Sequence, residues 1–369
     1  MSKAAVVGIE GTPGDLLRFQ RQAWSNIVFS VTQRCPLRCR HCVTSSAPVL
    51  SLPLLGAAAA DRWADELPTL AAMGLRHVSF TGGEPTLALA PIARLAAAAK
   101  AASLVVSVTT AGSWARSERQ AARVVDALGA HVDSWDFGYD RFHAEHLEAG
   151  DFLRAVNAVL PQAGEVAVRI CDDGTPATAE LVAMLEAGIE GAAALIVQPV
   201  YAIGRGDEII DGHGERGGPD LDLPCMATGP FVREDGSTGP CCAALSYGAA
   251  GRHPFDYGSA ARDGLVTVWR RWREDQLLRL IRLAGFRLPL RWLAEAGLVP
   301  DAALAMTHVC ELCERLWDAD GRAAAILRER AADPALRPLL DRLETELYGD
   351  VWSEGGARPA DRVPATVGG

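Results

Sequence analysis

No apolar run in the 369-residue chain is long enough to cross a bilayer; the Ala-rich stretches at 57–60 and 95–104 are ended by Asp61 and broken by Lys100. Residues 1–17 hold no apolar core of the kind a signal peptide carries. These absences predict a soluble, cytoplasmic protein with no membrane partner. Positive charge is short as well: the formal net charge is −10, which argues against general nucleic-acid binding. There is no internal repeat. What is present, 49% hydrophobic and 22% charged residues, reads as a globular chain able to bury a sizeable core. The length suits one large domain plus a smaller one.

From residue 26 onward, short β-rich runs alternate with Ala-rich helical stretches. Strands are expected at 26–32, 76–81, 104–110, 132–139, 165–171 and 194–200. They are largely apolar, as in a parallel sheet buried on both faces. Helices are expected between them at 57–73, 91–101, 115–128, 152–160 and 178–187, with Gly74, Gly129 and Gly188 near their ends. Six β units with helical crossovers predict an α/β fold, an incomplete (β/α)6 TIM-like barrel. Such a barrel works at the C-terminal ends of its strands. Past Gly204 the pattern changes. Residues 205–220 read as a linker, 262–297 and 321–347 as helical, and 355–369 as a disordered tail.

The nine cysteines are clustered, which in a cytosolic protein points to metal or catalysis before disulfides. The first cluster, Cys35-Pro36-Leu37-Arg38-Cys39-Arg40-His41-Cys42, follows the first strand and lacks a fourth ligand. His41 sits beside Cys42, so the two cannot chelate one ion with good geometry. A structural zinc wants four ligands. A four-iron cubane takes one Cys per iron, so three cysteines leave one iron open. The second set comprises Cys225, the pair Cys241-Cys242, Cys310 and Cys313. Four of these thiolates make a closed site, for an iron–sulfur cluster or for zinc. Neighbouring strand residues point to opposite faces, so Cys241 is read as the ligand and Cys242 as spare. Cys171 stands alone at the end of the fifth strand, on the rim where chemistry is expected; the alternative is a small buried apolar residue.

The spacing C-x3-C-x2-C, with His41 before the last cysteine, resembles the radical S-adenosylmethionine superfamily. Thr81-Gly82-Gly83-Glu84-Pro85 follows the second strand, where that superfamily carries its GGEP motif. The resemblance implies a SAM-binding [4Fe–4S] cluster on Cys35, Cys39 and Cys42. It also implies that Gly82, Gly83, Glu84 and Pro85 hold the amino group of the cofactor's methionine. Two glycines permit close backbone approach, and a carboxylate suits an ammonium. Thr110 stands where relatives have Thr-Asn-Gly, although the Asn is missing here. Ser134 and Asp136 fall where relatives contact the ribose, and Arg169 where one could meet the cofactor's carboxylate. The stretch from Gln198-Pro199 to Gly204-Arg205-Gly206 resembles the family's sixth-strand region.

The second cysteine set resembles the twitch version of the SPASM auxiliary-cluster domain, implying one auxiliary [4Fe–4S] cluster on Cys225, Cys241, Cys310 and Cys313. No cysteine follows Cys313 to hold another. The expected domains are an N-terminal extension over 1–25, the barrel over 26–205, and the auxiliary domain with an Arg-rich insert over 206–318. A helical extension and tail fill 319–369. That insert, 262–297, carries eight arginines against four acids. It is read as an amphipathic helical segment with solvated arginines, or as a dock for an acidic leader peptide or phosphorylated substrate.

The family chemistry implies reductive cleavage of S-adenosylmethionine and hydrogen abstraction from a substrate C–H bond. Cys171 or Cys242 would return a hydrogen atom as the catalytic thiol. An external electron donor such as flavodoxin or ferredoxin is required. The substrate is read as a ribosomally made peptide, crosslinked or epimerised, with a separate peptide-recognition protein as a further partner. The alternatives are dehydrogenation or epimerisation of a sugar or aminocyclitol, and a non-catalytic iron–sulfur protein.

Overall fold

Helix and strand signals settle into alternating β and α elements around one sheet. The computed structural model describes residues 4–6, 13–209, 221–242, 253–298, 308–317 and 320–349. The expected linker lies partly, and the expected tail wholly, outside these residues. The chain opens with β1 (Ala5–Val6) and α1 (Pro13–Trp24). The barrel strands are β2 (Asn26–Ser30), β3 (His77–Thr81), β4 (Val105–Thr110), β5 (Ser134–Gly138), β6 (Glu165–Asp172) and β7 (Ala194–Pro199). Between them run α2 (Ala57–Ala72), α3 (Leu89–Ala101), α4 (Glu118–Leu128), the short α5 (Arg141–Ala144), α6 (Ala149–Val159) and α7 (Ala177–Gly188). Each expected strand and helix is present with ends shifted by a few residues.

The sheet order is β1-β7-β6-β5-β4-β3-β2-β8-β9, and β2 through β7 pair in parallel. Both edges are covered. β1 pairs in parallel with β7, and β8 (Phe231–Arg233) pairs in parallel with β2 before turning into antiparallel β9 (Thr238–Gly239). The barrel sheet therefore continues beyond residue 205.

The strands are not uniformly apolar. Their outward residues, such as Ile27, Phe29, Val78, Phe80, Val106, Val108 and Phe137, are fully or almost fully buried under the helices. Burying each such side chain contributes about 1.5–3 kcal/mol. Most inward residues are small or polar: Asn26, Ser79, Thr81, Ser107, Thr109, Asp136, Gly138, Arg169, Cys171 and Gln198, with Val28 the apolar exception on the barrel strands. All line one cavity, so the sheet curves around it as an incomplete barrel. A filled barrel packs bulky branched side chains there; this one leaves a lumen.

After β9 come α8 (Ala260–Asp263), α9 (Leu265–Glu274), α10 (Gln276–Ala284), α11 (Arg287–Glu295), α12 (Val309–Arg315), α13 (Arg322–Ala331) and α14 (Leu336–Tyr348). Asp275 breaks the Arg-rich segment and caps α10, accepting from Leu277 and Leu278 N–H at 2.9 and 3.0 Å. Gly285, at φ +70°, ends α10. These helices enclose a second apolar core that also takes Trp24 from α1. α9 serves both cores, with Trp269 in the first and Trp272 in the second.

Five of the segment's eight arginines, Arg262, Arg270, Arg271, Arg287 and Arg291, are exposed, and the other three are not. Arg273, Arg279 and Arg282 are buried. Arg279 pairs with Glu344 and Asp341 of α14 at 2.7 and 2.6 Å. Arg282 donates to the carbonyls of Gln20 and Ala227, and stacks over Trp24 and Trp272 at 5.0 and 5.2 Å. Arg271 pairs with Asp263, and Arg287 with Asp222. The segment thus buries three arginines against α1 and α14 and keeps the other five exposed, as an amphipathic helical segment should.

Candidate active site

The first cysteine loop leaves β2 at the C-terminal end of the barrel. Cys35 and Cys39 are buried and Cys42 is half-buried. Backbone bonds shape the loop: Cys35 N–H donates to Ala47 O at 3.0 Å, Cys42 N–H to Cys39 O at 3.3 Å and Ser45 N–H to Cys42 O at 3.2 Å. The three thiols line one wall of a cavity of about 340 Å³, which runs down the barrel to Phe19, Gln22 and Ala23 of α1. Burial pushes the Cys35 thiol far above its ordinary range; the Glu84 carboxylate and the other two thiols push the same way. Three thiolates here need a positive centre among them, which fits a metal cluster.

Gly82 and Gly83 line the same cavity beside the thiols. Gly82 sits at φ +147°, and a Cβ there would lie 2.4 Å from Thr32 O. A Cβ on Gly83 would lie 2.4 Å from Arg34 O. Gly83 N–H donates to Thr32 O at 2.7 Å and Glu84 N–H to Arg34 O at 2.9 Å. The absent side chains therefore let this turn press against the strand leading into the cysteine loop. Pro85 opens the 3-10 turn Pro85–Ala88 and is buried.

The Glu84 side chain does not line the cavity. It is 1% exposed and accepts from Thr86 N–H and Oγ1, from Thr110 Oγ1 at 2.9 Å and from Ala111 N–H at 3.2 Å. Burial raises its carboxyl above the ordinary range, and the Thr86, Thr110 and Ala111 bonds pull against that. In this geometry Glu84 and Thr110 tie the end of β3 to the end of β4. The amino-holding role would fall to the backbone around Gly82 and Gly83.

Asp136 and Arg169 face the cavity from adjacent strands, paired at 2.7 Å. Burial raises the Asp136 carboxyl and Arg169 opposes it. Asp136 Oδ1 has no hydrogen-bond partner among the described residues and is left for a ligand. Ser134 Oγ likewise lacks one, but Ser134 does not line the cavity. Lower in the barrel, Ser107 Oγ donates to Ser79 Oγ at 2.9 Å, and Asn26 Nδ2 to Ser79 Oγ at 3.1 Å.

Asp140, just past β5, was not singled out by its sequence position. It is 1% exposed. Oδ1 accepts from Phe142 and His143 N–H at 2.9 and 3.1 Å and lies 2.9 Å from His143 Nδ1. Oδ2 lies 3.2 Å from His41 Nε2 and accepts from Cys171 N–H at 3.3 Å. Asp140 thus links the cysteine loop to the strand end carrying Cys171. Burial opposes its charge, but His143 and His41 hold the carboxyl well below its usual range. The readable signal was Asp-x-x-His after a strand, facing the His of the cysteine loop.

Cys171 lines the cavity, with Gln198 Nε2 3.8 Å from its Sγ. Burial, then Asp140, pushes its thiol far up, so it is an S–H at neutral pH. Cys242 lines the cavity too, whereas Cys241 does not. Burial first, then Cys242, Cys225, Cys313 and Cys310, raises the Cys241 thiol well above its ordinary range. The five cysteines of the second set thus gather within mutual electrostatic reach. Cys310 lies in the first turn of α12, where the N-cap His308 Nδ1 accepts its N–H at 3.1 Å.

A family model described as "Radical SAM superfamily" matches residues 29–160. Residues 29–160 form a radical SAM domain. A match to that superfamily implies S-adenosylmethionine and a [4Fe–4S] cluster. Part of the chain is 37% identical over 107 residues to a PqqA peptide cyclase of Rhodopseudomonas palustris. That match covers 29% of this chain and spans only 27% of the relative. Among solved structures, anSMEcpe with bound AdoMet is similar at 14% identity and TM-score 0.46, over 86% of this chain and 99% of that one. BtrN in complex with AdoMet and 2-DOIA is similar at 13% identity and TM-score 0.42, over 70% of this chain and 87% of that one. No helix among the described residues is long and apolar enough to cross a membrane.

Proposed function

We propose that the chain is a radical S-adenosylmethionine enzyme acting on a ribosomally made peptide. One observation carries the reading: three cysteine thiols, the Gly82-Gly83 backbone and the Asp136–Arg169 pair share a single cavity. Cys35, Cys39 and Cys42 would hold the [4Fe–4S] cluster, leaving one iron open. When bound, the cluster and S-adenosylmethionine supply a 5′-deoxyadenosyl radical that takes a hydrogen atom from an unactivated C–H bond. The barrel's part is to bind, aim and exclude water. The backbone at Gly82-Gly83 receives the methionine amine, Arg169 its carboxylate and Asp136 the ribose hydroxyls. Thr110 braces that wall through Glu84. Cys225, Cys241, Cys310 and Cys313 would hold one auxiliary [4Fe–4S] cluster, in the part of the chain that follows the barrel strands. An external one-electron donor is needed, as is the reducing cytoplasm. The similarity to a peptide cyclase supports the peptide substrate.

Anaerobic reconstitution, reduction and addition of S-adenosylmethionine test the reading. Release of 5′-deoxyadenosine is expected, and its loss in Cys39→Ala. A protein with full iron that releases none overturns the reading. Cys171 S–H is offered as a hydrogen donor to the substrate radical. Cys171→Ala should keep 5′-deoxyadenosine release but lose solvent deuterium from the product. If Cys242→Ala does so instead, Cys242 is the donor.

A further inference from the structure

We propose that Arg205 is a positioning residue that clamps the three-cysteine loop from the far side of the barrel. The inference rests on the functional reading above and extends it to a residue to which that reading gives no role. Arg205 lies in the turn Gly204–Glu208, after the last barrel strand, and its side chain borders the cavity. Its guanidinium Nε and Nη2 donate to Cys39 O at 3.0 and 2.8 Å, and Nη2 also to Ser46 O at 2.7 Å. Its backbone N–H donates to Cys42 O at 3.1 Å. The carbonyls of two of the three cysteines therefore end on residue 205.

The flanking glycines make this contact possible. Gly204 sits at φ +58°, and a Cβ there would lie 2.5 Å from Val43 O and 2.7 Å from Cys42 O. A Cβ on Gly206 would lie 2.2 Å from Tyr201 O. A side chain at Gly204 would lift the turn off the loop, and one at Gly206 would distort the turn itself.

The physical reason for an arginine is twofold. The loop has no helix or strand to fix its carbonyls, and carbonyl direction governs where each thiol points. A planar fork reaches carbonyls on two sides at once; a lysine ammonium on its flexible stem does not reproduce that geometry. The guanidinium also sets a fixed positive charge beside a site that gains negative charge on reduction. Nearby charge and hydrogen bonding are what tune a cluster's potential and occupancy.

Arg205→Lys, Arg205→Gln and Gly204→Ala in the full, reconstituted chain test the clamp. The readouts are iron per chain, the midpoint potential, and the change in the reduced protein's EPR spectrum when S-adenosylmethionine is added. Only the open cluster can respond to that addition. All three variants are expected to bind S-adenosylmethionine about 10–100-fold more weakly, the range for lost supporting contacts at a metal site. Lysine should not rescue. Glutamine alone should also move the potential to more negative values, because it removes the charge. Gly204→Ala reaches the same loop without touching Arg205, and guards against a variant that merely misfolds. If wild type shows the spectral response and all three variants match it in spectrum, potential and affinity, the clamp is overturned and the functional reading stands. If iron-replete wild type shows no response, both fall.

Discussion

Gly83 has no room for a side chain, because its missing Cβ would sit 2.4 Å from Arg34 O and 2.7 Å from Arg34 C. Those are backbone atoms that cannot swing aside. Gly83→Ala should therefore cost about 1–3 kcal/mol and displace the segment entering the cysteine loop. Thermal unfolding and iron content after reconstitution would show both effects. His77 gives a pH prediction of definite sign. Burial, then Arg76, lowers its pKa from 6.5 to about 4, so the fold holds it neutral while the unfolded chain protonates it. Stability is thus complete above pH 6.5 and falls as pH drops toward 4, by up to about 3 kcal/mol. Denaturant unfolding of His77→Asn should show a shallower loss than wild type across that window. At this scale the sequence was generous with ligands and silent on supports. Cys35, Cys39, Cys42 and Gly82-Gly83 announce themselves by spacing. Asp140 and Arg205 act through loops brought together only by the barrel.

The six barrel strands and five of their helices were legible because each carries its own period and its own stop signals. Their alternation was not: the inward Ser, Thr and Asn positions were read as part of apolar runs, since only the curved sheet shows which face is the lumen. α1 lay hidden inside an apparent N-terminal extension, although it lines the cavity and anchors the second core. The burial of Arg279 and Arg282 was hidden for a related reason. Their partners Gln20, Glu344 and Asp341 lie on α1 and α14, far along the chain. The Arg279–Glu344 pair is the sharpest test of that packing. Arg279→Ala leaves a buried carboxylate unpaired and should cost about 3–5 kcal/mol, whereas Arg279→Met with Glu344→Leu should recover most of the loss. Melting temperatures of the three proteins decide it.

Across the whole molecule, two apolar cores share α9, and the barrel's β2 edge is covered by β8 from the later part of the chain. A chain ending at residue 209 would keep the three-cysteine loop and the Gly82-Gly83 turn yet bare that edge and remove the helices packed on α1. It should associate through the open strand rather than remain monomeric, which size-exclusion chromatography would reveal. The lumen itself has a further consequence. Its walls are built from strand positions that alternate with the outward residues packed under the helices. Replacing a serine by an alanine or a threonine by a valine inside would reshape the chamber without disturbing the packing outside. A lineage could thus exchange one guest for another by a few point changes, while the apparatus at the rim and the surrounding shell stayed as they were.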